Sequence, residues 1–130
     1  MKKLVLIILI LTSFTTFAQT FLKNPDYVLW SETRKLQVSD FQLRRTQNQG
    51  NVPVYLYLAV GFEFKSSFEL VGKKANQRIY NYMQKSVSWI DTTDIALEFL
   101  LKVAQTEFDI QEIYTRKMRK FIRENRNKII

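Results

Sequence analysis

The sequence predicts an α+β fold in which a small antiparallel sheet packs on one long C-terminal helix. Two observations carry this. From Val52 to Lys65 apolar side chains alternate at the period of a strand, and from Thr92 to Arg126 no glycine or proline interrupts an apolar pattern at helical spacing. The gaps between candidate strands are too short for helical crossovers, so the strands are expected to be antiparallel.

At the N-terminus, Lys2 and Lys3 precede the unbroken apolar run Leu4–Leu11, and Thr16 and Ala18 stand at the minus-three and minus-one sites of a secretory signal peptide. The run falls well short of the roughly 20 residues needed to span a bilayer. Cleavage near Ala18 is expected, leaving residues 19–130 as a single domain of a periplasmic or extracellular protein. No cysteine follows the site, which excludes a lipid-modified N-terminus. Stability must come from packing, because there are no disulfides to supply it.

Thr20–Asp40 carries Trp30, Leu36 and Val38 among polar residues, with Pro25 marking an extended entry. Arg44–Asn51 is polar, ends in Gly-Asn and reads as a loop. Val54, Leu56, Leu58 and Val60 then alternate with Tyr55, Tyr57, Ala59 and Gly61, continuing through Phe62 and Phe64. Further strands are expected at Phe68–Val71 and Arg78–Met83, separated by a turn at Gly72-Lys73-Lys74. The helix is expected to begin at Thr92 with Asp91 as N-cap and Asp94 in its first turn. Its principal stripe at 100° per residue is Ala96, Phe99, Leu100, Val103, Glu107, Ile110, Tyr114, Met118 and Phe121. Leu97, Leu101, Ala104 and Phe108 widen the apolar face in the first half. The reading buries that first half on two sides and the second half along one stripe. Glu107 interrupts the stripe with a carboxylate.

The net charge of +8 divides unevenly. Two charges belong to the signal segment, residues 19–115 are neutral, and Arg116, Lys117, Arg119, Lys120, Arg123, Arg126 and Lys128 stand against Glu124 alone at the C-terminus. With no histidine there is no imidazole base or ligand, and with no cysteine no thiol nucleophile. The three glycines are too scattered to form a phosphate-binding loop, and no serine has a lysine three residues on. This inventory favours a non-catalytic protein without a cofactor. The many aromatic residues are expected to be core, and the cluster Asp91, Asp94 and Glu98 to be helix capping rather than a cation site.

The segment Leu100–Lys120, with Phe108-Asp109-Ile110-Gln111-Glu112-Ile113-Tyr114 and Arg116-Lys117-Met118-Arg119-Lys120, resembles the active-site helix of a family of bacterial secreted proteins described as zinc-dependent proteases and catalogued as domain of unknown function 922. That helix follows a pattern close to Leu-Leu-x-His-Glu-Gln-Gly-His-Phe-Asp-Ile-x-Glu-x-Tyr-Ala-Arg-Lys-Leu-Arg-Lys. Ser88-Trp89-Ile90 is similar to the Ser-Trp-Val segment preceding the helix, and Trp30-Ser31 through Val38-Ser39-Asp40-Phe41 to the family's N-terminal pattern. The resemblance covers most of residues 28–122 and implies a zincin-like fold, truncated here.

In a zincin helix the two histidines of His-Glu-x-x-His bind zinc and the glutamate between them is the general base. Aligned on Phe108-Asp109-Ile110, those positions are Val103, Ala104 and Glu107. Valine and alanine offer neither a ligand nor a proton acceptor, and the chain has no histidine to replace them. The family also continues past this helix into a polar segment with its own histidine, which is expected to be missing because the sequence ends at Ile130. The resemblance therefore implies a degenerate relative, a pseudoenzyme that binds no metal, with Val103 and Ala104 as core residues and Glu107 paired or solvated. Its partner would be a protein, peptide or envelope ligand. The alternative is a surface-binding protein that rests weakly on anionic membrane through Arg116, Lys117, Arg119, Lys120 and Arg123. Nucleic acid is not expected for an exported chain.

Overall fold

A computed structural model describes residues 21–44, 52–64, 69 and 72–128. The alternation after Val52 forms strand β2 (Val54–Phe62), and the strand expected at Arg78–Met83 extends to β3 (Ile79–Ile90). A short strand, β1 (Tyr27–Leu29), forms in the stretch that the sequence marks only as an extended entry. The sheet order is β1-β3-β2, and both pairings are antiparallel. The signal segment and the strand expected at Phe68–Val71, apart from Glu69, lie outside the described residues, as does the loop expected after Arg44.

β3 is longer than its apolar pattern suggests because its polar middle is held by side chains rather than by a regular ladder. Register passes from Tyr57↔Gln84 to Tyr55↔Trp89, so β3 bulges between them. Ser88 closes the bulge: its Oγ donates to Gln84 O at 2.6 Å and accepts from the Tyr57 N–H at 2.9 Å. On the other side, Gln42 N–H donates to Lys85 O and Leu43 N–H to Ser88 O, each at 3.0 Å. Asp26 completes the arrangement by accepting from Ser86 N–H, Ser86 Oγ and Gln84 Nε2 at 2.7–2.8 Å. The backbone groups freed by the irregularity thus find partners.

Burial raises the Asp26 pKa, but the hydrogen bonds from Ser86 and Gln84, with Lys85 nearby, outweigh it and hold the carboxyl below its ordinary value. A depressed carboxylate contributes stability that is complete above its unfolded pKa of about 4 and is lost as pH falls through the folded value. Urea midpoints measured at about pH 7 and about pH 3 should therefore differ less in Asp26→Asn than in the parent. An unchanged difference would show that this clamp does not contribute to acid sensitivity.

The long helix, α1 (Leu97–Asn125), starts five residues later than the expected start at Thr92. Asp91 is not its N-cap. Its Oδ1 accepts from Thr93 N–H and Thr93 Oγ1, and Asp94 Oδ1 accepts from Ala96 N–H at 2.7 Å, so each aspartate closes a local turn before the helix begins. Ala96 is the N-cap residue, with no side-chain capping bond.

α1 packs across β3 and β2 with a different face from the one its strongest stripe predicts. Leu100, Ala104, Phe108, Glu112 and Thr115 are buried, whereas Phe99, Ile110, Ile113, Tyr114 and Phe121 are exposed. The buried line takes Leu100 from the principal stripe and Ala104 and Phe108 from the secondary group of the first half, and most of the principal stripe lies about 100° away around the axis. The core consists of Val28, Leu36, Met83, Ala104 and Phe108, with Trp30, Phe41, Val54, Leu56 and Leu58 packed against it. A three-stranded sheet covers only one side of the helix. Fully buried Ala104 lets the helix axis approach Met83, where a bulkier side chain would hold it off.

Candidate functional site

The three positions that the resemblance singles out do not converge. Ala104 points into the core and is fully buried, Val103 is half-buried, and Glu107 is exposed on the outer side of α1. Zinc, which the resemblance implies, does not fit them: valine and alanine carry no donor atom, and the position of the base faces Met83 rather than solvent. Among the described residues, no group of three or more acidic side chains gathers where a metal ion could be held.

Other residues of the resembling segments do meet. Trp30 Nε1 donates to Asp109 Oδ1 at 2.8 Å, and Gln105 Nε2 donates to the same oxygen at 2.8 Å. Gln105 Oε1 accepts from the Leu36 N–H at 2.8 Å, so one turn of α1 holds both ends of the segment 30–36. Arg116 lies over the Trp30 ring, 5.0 Å from its centroid. Asp40, also buried, receives Arg34 Nη2 at 2.6 Å and the Gln37 N–H at 2.9 Å. The Trp30 and Leu36 contacts tie the N-terminal third to the helix, and the Asp40 contacts brace that third internally.

A second network lies at the other end of the buried line. Glu112 Oε1 accepts from Arg119 Nη1 at 2.6 Å and Arg116 Nε at 3.1 Å, while Arg119 Nε donates to Ile79 O at 2.9 Å. Of the five cations expected to form a binding surface, Arg119 is thereby withdrawn into the fold, its side chain only 27% exposed. Arg116 is shared between Glu112 and Trp30. Lys117 sits 5.0 Å from the Tyr114 ring centroid, and Lys120 and Arg123 are exposed. Four of the five are therefore exposed, Arg116, Lys117, Lys120 and Arg123, with Arg116 bonded to Glu112 and Lys120 paired with Glu124 at 3.9 Å, and they lie beside an apolar ridge. Phe99, Ile110, Tyr114, Met118 and Phe121 of this ridge belong to the principal stripe read from the sequence, whose Leu100 is buried instead, and Ile113 joins them from outside it. The periodicity of the stripe is legible in the sequence, but its exposure is not.

The sheet face turned away from α1 is rich in tyrosine. Tyr80 and Tyr82 alternate with the buried Ile79, Asn81 and Met83, and Tyr57 and Tyr27 flank them on β2 and β1. Tyr27 and Tyr82 pack with ring centroids 4.4 Å apart. Burial, with Tyr27 and Tyr57 alongside, pushes the Tyr82 hydroxyl above the ordinary tyrosine range.

No family model, curated protein or solved structure matches the chain. No helix among the described residues is long and apolar enough to cross a membrane.

Proposed function

We propose that this is a secreted, non-catalytic binding domain, a degenerate relative of the zincin-like family catalogued as domain of unknown function 922. The observation that carries the reading is Ala104. At the position of the general base the side chain is a methyl group buried in the core, flanked by a valine at one metal-ligand position and a lone exposed carboxylate at the other. The Trp30–Asp109 contact adds support, because two residues that carry the resemblance join its separated segments. Such a chain keeps the framework of the family and uses it to hold a protein, peptide or envelope component.

Metal analysis of the purified mature protein tests this reading. It should contain no stoichiometric zinc and should leave unstructured peptide substrates intact whether or not zinc is added. One tightly bound equivalent, or zinc-dependent cleavage, would overturn the assignment.

The exposed Lys117, Lys120 and Arg123 favour a second reading, in which the helix rests on an anionic envelope surface. Sedimentation with anionic vesicles should then show binding that weakens as salt is raised, since exposed charges are screened over about 10 Å at 0.1 M salt.

A further inference from the structure

We propose that the exposed apolar ridge of α1 is the interface for a second copy of this chain, the two helices lying antiparallel about a two-fold axis at Ile110. The ridge consists of Phe99, Ile110, Ile113, Tyr114, Met118 and Phe121. The three aromatic residues are 64%, 64% and 61% exposed, and Ile110 and Ile113 about half exposed. Aromatic side chains present about 150–250 Å² each, so the ridge offers roughly 600 Å² per copy and a pair of helices roughly 1,200 Å². The area per copy is at the top of the range for the largest apolar patch of a monomer, about 300–600 Å², and when wholly covered in a pair it reaches the lower bound of specific interfaces, about 1,200 Å² in total. Phe99, Ile110 and Phe121 lie within about 40° of one another around the axis and span about 33 Å at 1.5 Å per residue, with Ile113 and Met118 to either side.

Charge selects the orientation. Among exposed charges, residues 97–111 carry Glu98 and Glu107 against Lys102, whereas residues 112–125 carry Arg116, Lys117, Lys120 and Arg123 against Glu124. A parallel pair would place the two basic halves side by side. An antiparallel pair sets each basic half beside an acidic one and opposes the helix dipoles. Ile110 lies midway between Phe99 and Phe121, so a two-fold axis there brings Phe99 of one copy against Phe121 of the other. The same axis gives a role to the carboxylate that interrupts the stripe: Glu107 comes level with residue 113 of the second copy, one helical turn from its Lys117. The proposal rests on the exposed ridge and does not depend on the zincin-like assignment.

The chain has no cysteine, so single cysteine variants report the geometry without background. In sedimentation equilibrium the mature protein should be dimeric at tens of micromolar. Tyr114→Glu, at a position that is mostly solvent-exposed in the monomer, should weaken the dimer on the order of a hundredfold while leaving far-ultraviolet circular dichroism unchanged. Phe99→Glu serves as an independent second variant. Mixing Phe99→Cys with Phe121→Cys under mild oxidation should give the mixed disulfide, with little of either homodisulfide. A monomeric parent, a dimer indifferent to both glutamate variants, or cross-linking only between like positions would overturn the proposal. So would a monomer that binds vesicles through this ridge, recognised by binding that is lost in Tyr114→Glu but insensitive to salt.

Discussion

Phe108→Ala is expected to destabilise the domain by about 3–5 kcal/mol, the range for truncating a buried aromatic side chain. Phe108 is almost completely buried in the cluster with Val28, Leu36, Met83 and Ala104. Domains of this size have total stabilities of about 5–15 kcal/mol, so the variant should be largely unfolded at modest urea concentrations. The informative control is Ile110→Ala, two residues along the same motif. Ile110 is about half exposed, and its truncation should cost no more than about 1 kcal/mol in the monomer. Urea unfolding under conditions where both variants are monomeric checks the pair. The reverse ranking would mean that the principal stripe, rather than the line through Ala104 and Phe108, faces the sheet.

Arg119→Met is expected to cost about 3 kcal/mol, the lower end of the range for breaking a buried ion pair, because Glu112 keeps Arg116. The substitution leaves the buried Glu112 carboxylate with one cation and removes the donor to Ile79 O. Glu112→Leu with Arg119→Met should be less destabilising than Arg119→Met alone, since the double variant leaves no charge stranded in the interior. Arg119→Lys should recover only part of the loss. An ammonium can reach Glu112, but it has no planar fork with which to bond both Glu112 and Ile79 O. Equal costs for the single and double variants would show that Glu112 is not held by Arg119.

This network marks a limit of what the sequence makes legible. On a helical projection Glu112, Thr115 and Arg119 read as a polar face, and periodicity places them outside. The structure buries Glu112 and Thr115 because each meets a partner: Glu112 its two arginines, and Thr115 Oγ1 the Gln111 carbonyl at 2.8 Å. Asn81 follows the same rule, buried in β3 with its Nδ2 on the Phe108 carbonyl at 3.2 Å. A buried polar side chain is tolerated when it finds a partner: those of Glu112 and Thr115 lie within seven residues on the same helix, whereas that of Asn81 lies 27 residues away. β1 was unreadable for a similar reason. Three residues hold no periodic signal, and the strand exists because β3 offers an edge and Asp26 anchors it there.

At the candidate site, that Val103 and Ala104 carry no donor atom can be read from the residues alone. That Arg119 is a framework residue and not a surface cation cannot. Its charge and spacing are those of its exposed neighbours, and only the position of Ile79 O, forty residues upstream, distinguishes it.

The sequence by itself determined the types of element, the alternation of β2, the uninterrupted length of α1 and the absence of imidazole and thiol chemistry, since these follow from side-chain identity and local period. Only the tertiary structure decided which side of α1 is inside. The helix carries two apolar lines, and three strands can cover one. Covering the weaker line puts small Ala104 in the core cluster with Met83 and brings Arg119 to the Ile79 carbonyl of β3, which leaves most of the stronger line exposed to solvent.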